Sequence, residues 1–445
     1  MINSKIIQFD NNRYSIIFLI FLTFFVQKII IIKLLGLFII YFFYPFVLKN
    51  KNEFTLKFYI GILLFSILNG FLYLDRHGYY VAFFLSVVFW ALCYLSTKQV
   101  YYFVKNSTLN DVASVIHLFF FINVIFWVIS YLKAIKHYHH VFPFIVHNGA
   151  GDFMKSIYSN SSIAMIIFSF FAIYFVAHKK FLFSGIGFFM LLLTTYMSGI
   201  VIFLGSIIVF SFTSVNLSLL KRLLLFIVFP FCIVIFIKTF APTNYEYVIS
   251  YLDPINTPRK IISFYQTFNY LSESVQNFFI GAGPGNFSSR VGFTISGTYV
   301  SWFPHEFKYI SKDFLTNHLS LWNPTILAKY NDGTANQPFS IFNQLLGEYG
   351  IVGMLLFLSY YFVSLFKISK NTIGIYLVVL FLAYGLLDYW FEYFSVIPIF
   401  ELIFLCVSSR NFSPNISNIT TKRRRKLRIN YSQGHTCLTR TDIKH

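Results

Sequence analysis

Apolar runs long enough to cross a bilayer alternate with short polar connections along most of this chain, and once with a long one. Requiring roughly 17–25 apolar residues per crossing, the pattern predicts helical spans near residues 14–32, 33–48, 54–74, 79–97, 112–132, 159–177, 181–197, 199–214, 219–240, 345–367, 372–388 and 392–408. Lys28 and Lys33 interrupt the first pair, which could also be one tilted helix plus a re-entrant piece, with the lysines snorkelling from helix ends. Hydrophobicity after Arg13 runs on to Leu48 with no small-residue cleavage site, so the first span is expected to stay in place as an anchor.

The exception to the alternation is the stretch from Ala241 to Ser340, which is polar, dotted with Gly, Pro and Asn, and rich in Tyr and Phe, with Trp302 and Trp322 among them. Loops beyond roughly 12–15 residues are usually functional or disordered. The aromatic content predicts a folded, membrane-proximal module, and chemistry is to be sought there. Four segments follow: 1–240, an N-terminal block of about nine spans; 241–344, the loop module; 345–408, a block of three spans; and 409–445, a polar, basic tail expected to be disordered.

Composition agrees with this division. Hydrophobic residues make up 57% of the chain and charged residues 11%, with a mean hydropathy of +0.66. These values exclude a soluble globule and predict an all-α polytopic membrane protein with about twelve transmembrane helices. The formal charge of +19 does not indicate nucleic acid, because the cations sit in small groups beside apolar spans and not on one folded face. They obey the positive-inside rule if both termini are cytoplasmic. Lys49, Lys51 and Lys57; Lys98 and Lys105; Lys179 and Lys180; Lys221 and Arg222; Lys367 and Lys370; and the KRRRK tail from Lys422 then fall inside. The long loop then faces outward. Cys93, Cys232 and Cys406 lie in apolar spans and Cys437 in the tail, which supports neither a disulfide framework nor a zinc site.

Several residues are candidates for chemistry. Arg259 opens an expected amphipathic helix in which Ile261, Ile262, Phe264, Tyr265 and Phe268 would lie on the membrane surface, so its guanidinium could meet a phosphate at headgroup depth. Gly281, Gly283 and Gly285 of the GAGPGNF run allow backbone shapes closed to other residues, and Arg290 follows as a second cation. No Gly-Lys-Ser/Thr follows, so the run is not a nucleotide-phosphate loop. His305, beside Trp302 and Phe303, has the chemistry of a general base for a sugar hydroxyl. His137, His139, His140 and His147 have only Asp152 nearby, and no metal or other cofactor is expected.

Where hydrophobicity resumes, Ser340, Asn343, Gln344 and Gly347 share one helix face with Glu348 at its edge, and Gly347, Gly350 and Gly353 recur every third residue. An acidic residue entering a membrane helix must face a wet cavity or a partner, which makes Glu348 a site candidate. Asp388 and Glu392, one helical turn apart, are expected to meet solvent at the outer mouth. Glu401 has no evident partner.

This arrangement resembles the O-antigen polymerase and O-antigen ligase family of bacterial polysaccharide-assembly membrane proteins. The matching residues are Arg259; Gly281, Gly283, Gly285 and Phe287; and Gln344, Leu345, Leu346, Glu348, Gly350 and Gly353. Where the ligases carry His-Asn the chain has Phe339-Ser340, and where the family often has Ser-Arg before the eighth span it has Ser198-Gly199, which favours the polymerase branch. The resemblance implies a metal-independent glycosyl transfer on the outer face of the inner membrane, from an undecaprenyl-diphosphate-linked oligosaccharide to the terminal hydroxyl of another lipid-linked unit. Arg259 and Arg290 would hold the diphosphate, and His305 or Glu348 would serve as base. It also implies the lipid bilayer as environment, with a chain-length regulator and a flippase as partners. A ligase is the nearest alternative. A polysaccharide flippase or transporter is an alternative of another class.

Overall fold

The computed structural model describes residues 11–146, 148–213, 227–240, 242, 245–246, 259–297, 303–322, 339–369 and 371–408. Asp253, Pro254, Pro258, Ser301, Trp302, His147, Lys221, Arg222, Lys370 and the tail from residue 409 lie outside them. The described residues are all-α, with no strand among them. By contacts, the described residues form one compact unit.

Every one of the twelve expected spans holds a helix, but their lengths differ from the expectation. Tyr79–Asn106, Leu109–Tyr138 and Ile341–Ile368 are long and apolar enough to cross a membrane. The others run from 12 residues at Phe229–Phe240 to 17 at Ser161–Ala177. Polar caps set several boundaries. Thr108 and Asp111 form a capping box, Asn160 accepts the Ile163 N–H at 2.9 Å, and Asn371 accepts that of Gly374 at 2.6 Å. The Ile341–Leu356 helix begins four residues before the sequence boundary at 345, because Ser340 accepts the N–H of Asn343 and starts it there.

The helix Val396–Ser408 is buried at every residue and packs against Tyr79–Asn106 and Ser161–Ala177. Apolar on nearly every side apart from Glu401, it is the core of the bundle. The periphery exposes Ile31, Phe38, Phe42, Leu68, Phe84 and Leu182 at 64–75%. An apolar exterior of this extent is compatible with a lipid surround.

The stretch 14–48 holds two short helices packed on each other, Asn11–Phe25 and Ile30–Phe43, followed by a 3-10 turn at Pro45–Lys49. Lys28 is exposed in the turn between them. Lys33 does not snorkel: it is buried, donates to the Phe25 carbonyl at 2.8 Å and lies against the Phe25 and Phe394 rings. A backbone acceptor at the end of the adjacent helix serves the ammonium better than a long reach to a headgroup.

The described part of the loop docks on one end of the bundle. The Tyr73 hydroxyl donates to the Gly281 carbonyl at 2.6 Å, and Arg76 meets Asp313 at 3.6 Å.

Candidate functional site

The re-entry helix is broken where the chemistry-bearing residues collect. Gly350 adopts φ +61°, ψ −162°, which interrupts the helix. A Cβ there would strike the Phe279 and Ile280 backbone. Beside the break, the carbonyls of Gly347 and Glu348 accept N–H groups from the glycine-rich loop, Ala282 at 2.8 Å and Gly283 at 3.1 Å. Gly281, at φ +71°, brings that loop so close that a Cβ would meet the Glu348 and Gly347 backbone. Gly350 thus admits the end of the short helix Val275–Ile280, and Gly347 the Phe287 ring of the loop that follows it.

The loop wraps the Glu348 side chain. Glu348 is fully buried, with Phe287 N–H 3.4 Å from Oε1 and the Gly285, Ser288 and Ser289 groups around it. Its Oε2 has no hydrogen-bond partner among the described residues. A buried carboxylate in a glycine-shaped nest of backbone amides is held by oriented dipoles and not by an adjacent cation.

One turn before it, Gln344 donates to Glu392 Oε1 at 2.9 Å. The other Glu392 oxygen accepts the Arg290 N–H, and the Arg290 guanidinium returns to the Glu392 carbonyl at 3.0 Å while lying 4.6 Å from the centre of the Tyr393 ring. Asp388 accepts the Tyr389 N–H at 2.7 Å, and Lys260 donates to the Phe339 and Leu387 carbonyls, each at 2.7 Å. Asp388 and Glu392 are therefore buried, not exposed at a solvent mouth as the sequence suggested. The cause is tertiary: the loop brings Lys260 and Arg290 over the 385–395 connection, and charges taken from water need such partners. Glu401 is buried within the bundle, accepting from Thr55 at 2.9 Å and Tyr59 at 3.1 Å.

Arg259 begins the Arg259–Ser272 helix, as expected, but its side chain is buried and does not sit at the helix surface. Ile261, Tyr265 and Phe268 are exposed, Ile262 and Phe264 half-buried, and the polar face of Arg259, Ser263 and Thr267 packs inward. Arg259 is 1% exposed and donates to the Leu321 carbonyl at 3.2 Å.

The histidine in the buried network is not the one the sequence singled out. His305 is exposed on a 3-10 turn with Nε2 3.1 Å from Lys308 Nζ. His318 is fully buried, its ring stacked on Phe339 at 4.4 Å and tilted against Phe287 at 4.5 Å. Its Nε2 lies 3.0 Å from the Ser263 carbonyl and 3.2 Å from the Thr267 hydroxyl, which Asn343 reaches at 2.9 Å. A carbonyl only accepts, so Nε2 carries the proton and Nδ1 is a bare acceptor, with no partner among the described residues. No local signal marked it: the short helix Lys312–Thr316 ends at Asn317 and His318 opens a separate 3-10 turn, so the rings that bury it, Phe287 and Phe339, come from elsewhere in the chain.

Burial pushes the His318 imidazole from the usual 6.5 down to about 3, with the Ser263 carbonyl opposing and Lys260 adding to the effect. The unfolded chain therefore binds a proton below about pH 6.5 that the folded protein refuses until about pH 3. Stability should fall on acidification through that window. His318→Phe keeps the stacking and removes this contribution, so detergent-purified variant protein should lose less thermal stability between pH 7 and pH 5 than wild type. An unchanged pH slope would assign the effect to other groups.

No three His, Cys, Asp or Glu side chains converge as a metal site requires among the described residues. The structure thus brings together Glu348, Gly281, Gly283, Gly285 and Arg290, the last through Glu392 and Gln344. Arg259 joins the same loop interior through Leu321, and His305 does not join it. No protein-family model, curated protein sequence or solved structure matches this chain.

Proposed function

We propose that this protein is a polysaccharide polymerase of the O-antigen type, joining undecaprenyl-diphosphate-linked oligosaccharide units on the outer face of the bacterial inner membrane. One observation carries the reading: the two segments on which the family resemblance rests are physically one unit. The Gly281–Phe287 loop donates to the Gly347 and Glu348 carbonyls and encloses the Glu348 carboxylate. A carboxylate with an uncommitted oxygen, in a site closed by a loop that also carries Arg290, has the parts glycosyl transfer needs. Glu348 takes the proton of the acceptor hydroxyl as that hydroxyl's oxygen forms the new bond to the donor sugar's anomeric carbon. The bond from that carbon to the carrier diphosphate breaks, and the guanidinium groups of Arg290 and Arg259 offset the charge on the leaving diphosphate. The exposed Ile261, Tyr265 and Phe268 face of the Arg259–Ser272 helix suits contact with the bilayer surface, where a lipid-linked substrate would arrive.

The reading includes twelve crossings with both termini cytoplasmic and the loop outside. Glu306 is exposed in the loop, so Glu306→Cys should react with a membrane-impermeant maleimide in cells whose outer membrane alone is permeabilised. Labelling only after inner-membrane lysis would sink the assignment. Deleting the gene should leave single-unit glycan on the acceptor and remove the long-chain ladder on a polysaccharide gel. Loss of all acceptor glycan with accumulation of lipid-linked polymer would point instead to a ligase, and lipid-linked units retained on the cytoplasmic face to a flippase.

A further inference from the structure

The long helix Tyr79–Asn106 connects two ends of the molecule. Its first turns pack on the described loop, where Gly78 adjoins Tyr309, and its 28 residues carry the chain about 40 Å to the opposite end. At that far end is a cavity of about 280 Å³, lined among others by Asn50, Lys51, Glu53, Lys98, Tyr101 and Lys105. We propose that this cavity is a binding site for a phosphate ester group, separate from the loop site and independent of the function proposed above.

Three features support a built site over a chance cluster of surface lysines. Lys98, Tyr101, Tyr102 and Lys105 all line the cavity and follow the i, i+3, i+4, i+7 spacing that puts them on one helix face. Three lysines face one glutamate, leaving two positive charges in excess, and Glu53 is engaged by Lys105 at 3.2 Å. Lys98 is 3% exposed and held rigidly, donating to the Leu48 carbonyl at 2.9 Å and the Tyr94 hydroxyl at 2.8 Å. An ammonium has three hydrogens, so one is left without an acceptor among the described residues. A buried cation with an unused donor in a cavity of excess positive charge calls for an anion. Asn50 and Asn106 add neutral donors for the ester's remaining oxygens. The group could arrive on an anionic phospholipid of the leaflet at this end or as a free phosphate ester. The chemistry recognised is the same.

The test uses the full-length protein in nanodiscs. Wild type should retain phosphatidylglycerol over phosphatidylcholine, read by native mass spectrometry. Lys51→Gln with Lys105→Gln should lower that retention roughly twenty-five-fold, since each lysine near an anionic lipid surface is worth roughly fivefold. Lys57→Gln, exposed in the neighbouring helix and outside the cavity, should leave it unchanged, and arginine at positions 51 and 105 should restore it. Titration with glycerol phosphate separates the sources: displacement of the lipid at millimolar concentration assigns a soluble ester, and no displacement assigns the lipid. Equal loss in the Lys57→Gln variant, or no loss in the double variant, would overturn the site in favour of diffuse surface attraction.

Discussion

Glu348→Gln should abolish the long-chain polysaccharide ladder while the protein accumulates normally. The substitution keeps the shape of the side chain and an oxygen able to accept from Phe287 N–H, whose contact at 3.4 Å is already long. The loop should therefore stay docked through Ala282 and Gly283, whose bonds go to the helix backbone. What disappears is the proposed base, and positioned general bases contribute roughly a hundred- to ten-thousandfold to such steps. Thermal unfolding of the purified variant should remain close to wild type as the ladder collapses to single units. A full ladder at matched abundance would make Glu348 an internal counterpart for the loop amides, and the proton acceptor would have to be sought at the bare Nδ1 of His318.

Much of this arrangement is written in local pattern, and the parts that are not share a cause. The helical segments were legible because a membrane helix needs only a sustained apolar run and satisfies its own backbone. The Ile341 helix and its acidic residue were legible for the same reason, since Glu348 breaks such a run. Burial of polar residues depends on what the rest of the chain lays over them, and local sequence does not state it. Asp388 and Glu392 read as a solvent mouth because their partners, Lys260 and Arg290, lie roughly a hundred residues earlier. His305 attracted notice for its aromatic neighbours in sequence, whereas His318 has its own from Phe287 and Phe339, distant in sequence and stacked in space. The Arg259–Ser272 helix was legible as amphipathic, but its polar face turned inward, because the interior it meets is a network of Thr267, Asn343 and His318 and not a hydrocarbon core.

Arg259 bears the second large effect, and its burial sharpens what each substitution should do. A guanidinium 1% exposed, with a hydrogen bond to the Leu321 carbonyl, both anchors the loop interior and keeps a positive charge there. Arg259→Ala removes the charge, the fork and the packing of the stem. Losing one charge-assisted contact in a desolvated site costs ~1.5–3 kcal/mol, or roughly a ten- to hundredfold loss of rate if the contact is made in the transition state. Arg259→Lys keeps the charge and can still reach one acceptor, but cannot grip a diphosphate with two parallel bonds. Chain length on the gel should therefore collapse in Arg259→Ala and be severely shortened in Arg259→Lys, at protein abundance matched by immunoblot. If Lys restores full chain length while Ala fails only through lost abundance, the residue is a loop anchor. The diphosphate would then rest on Arg290 alone, and Arg290→Ala should abolish polymer under the same assay.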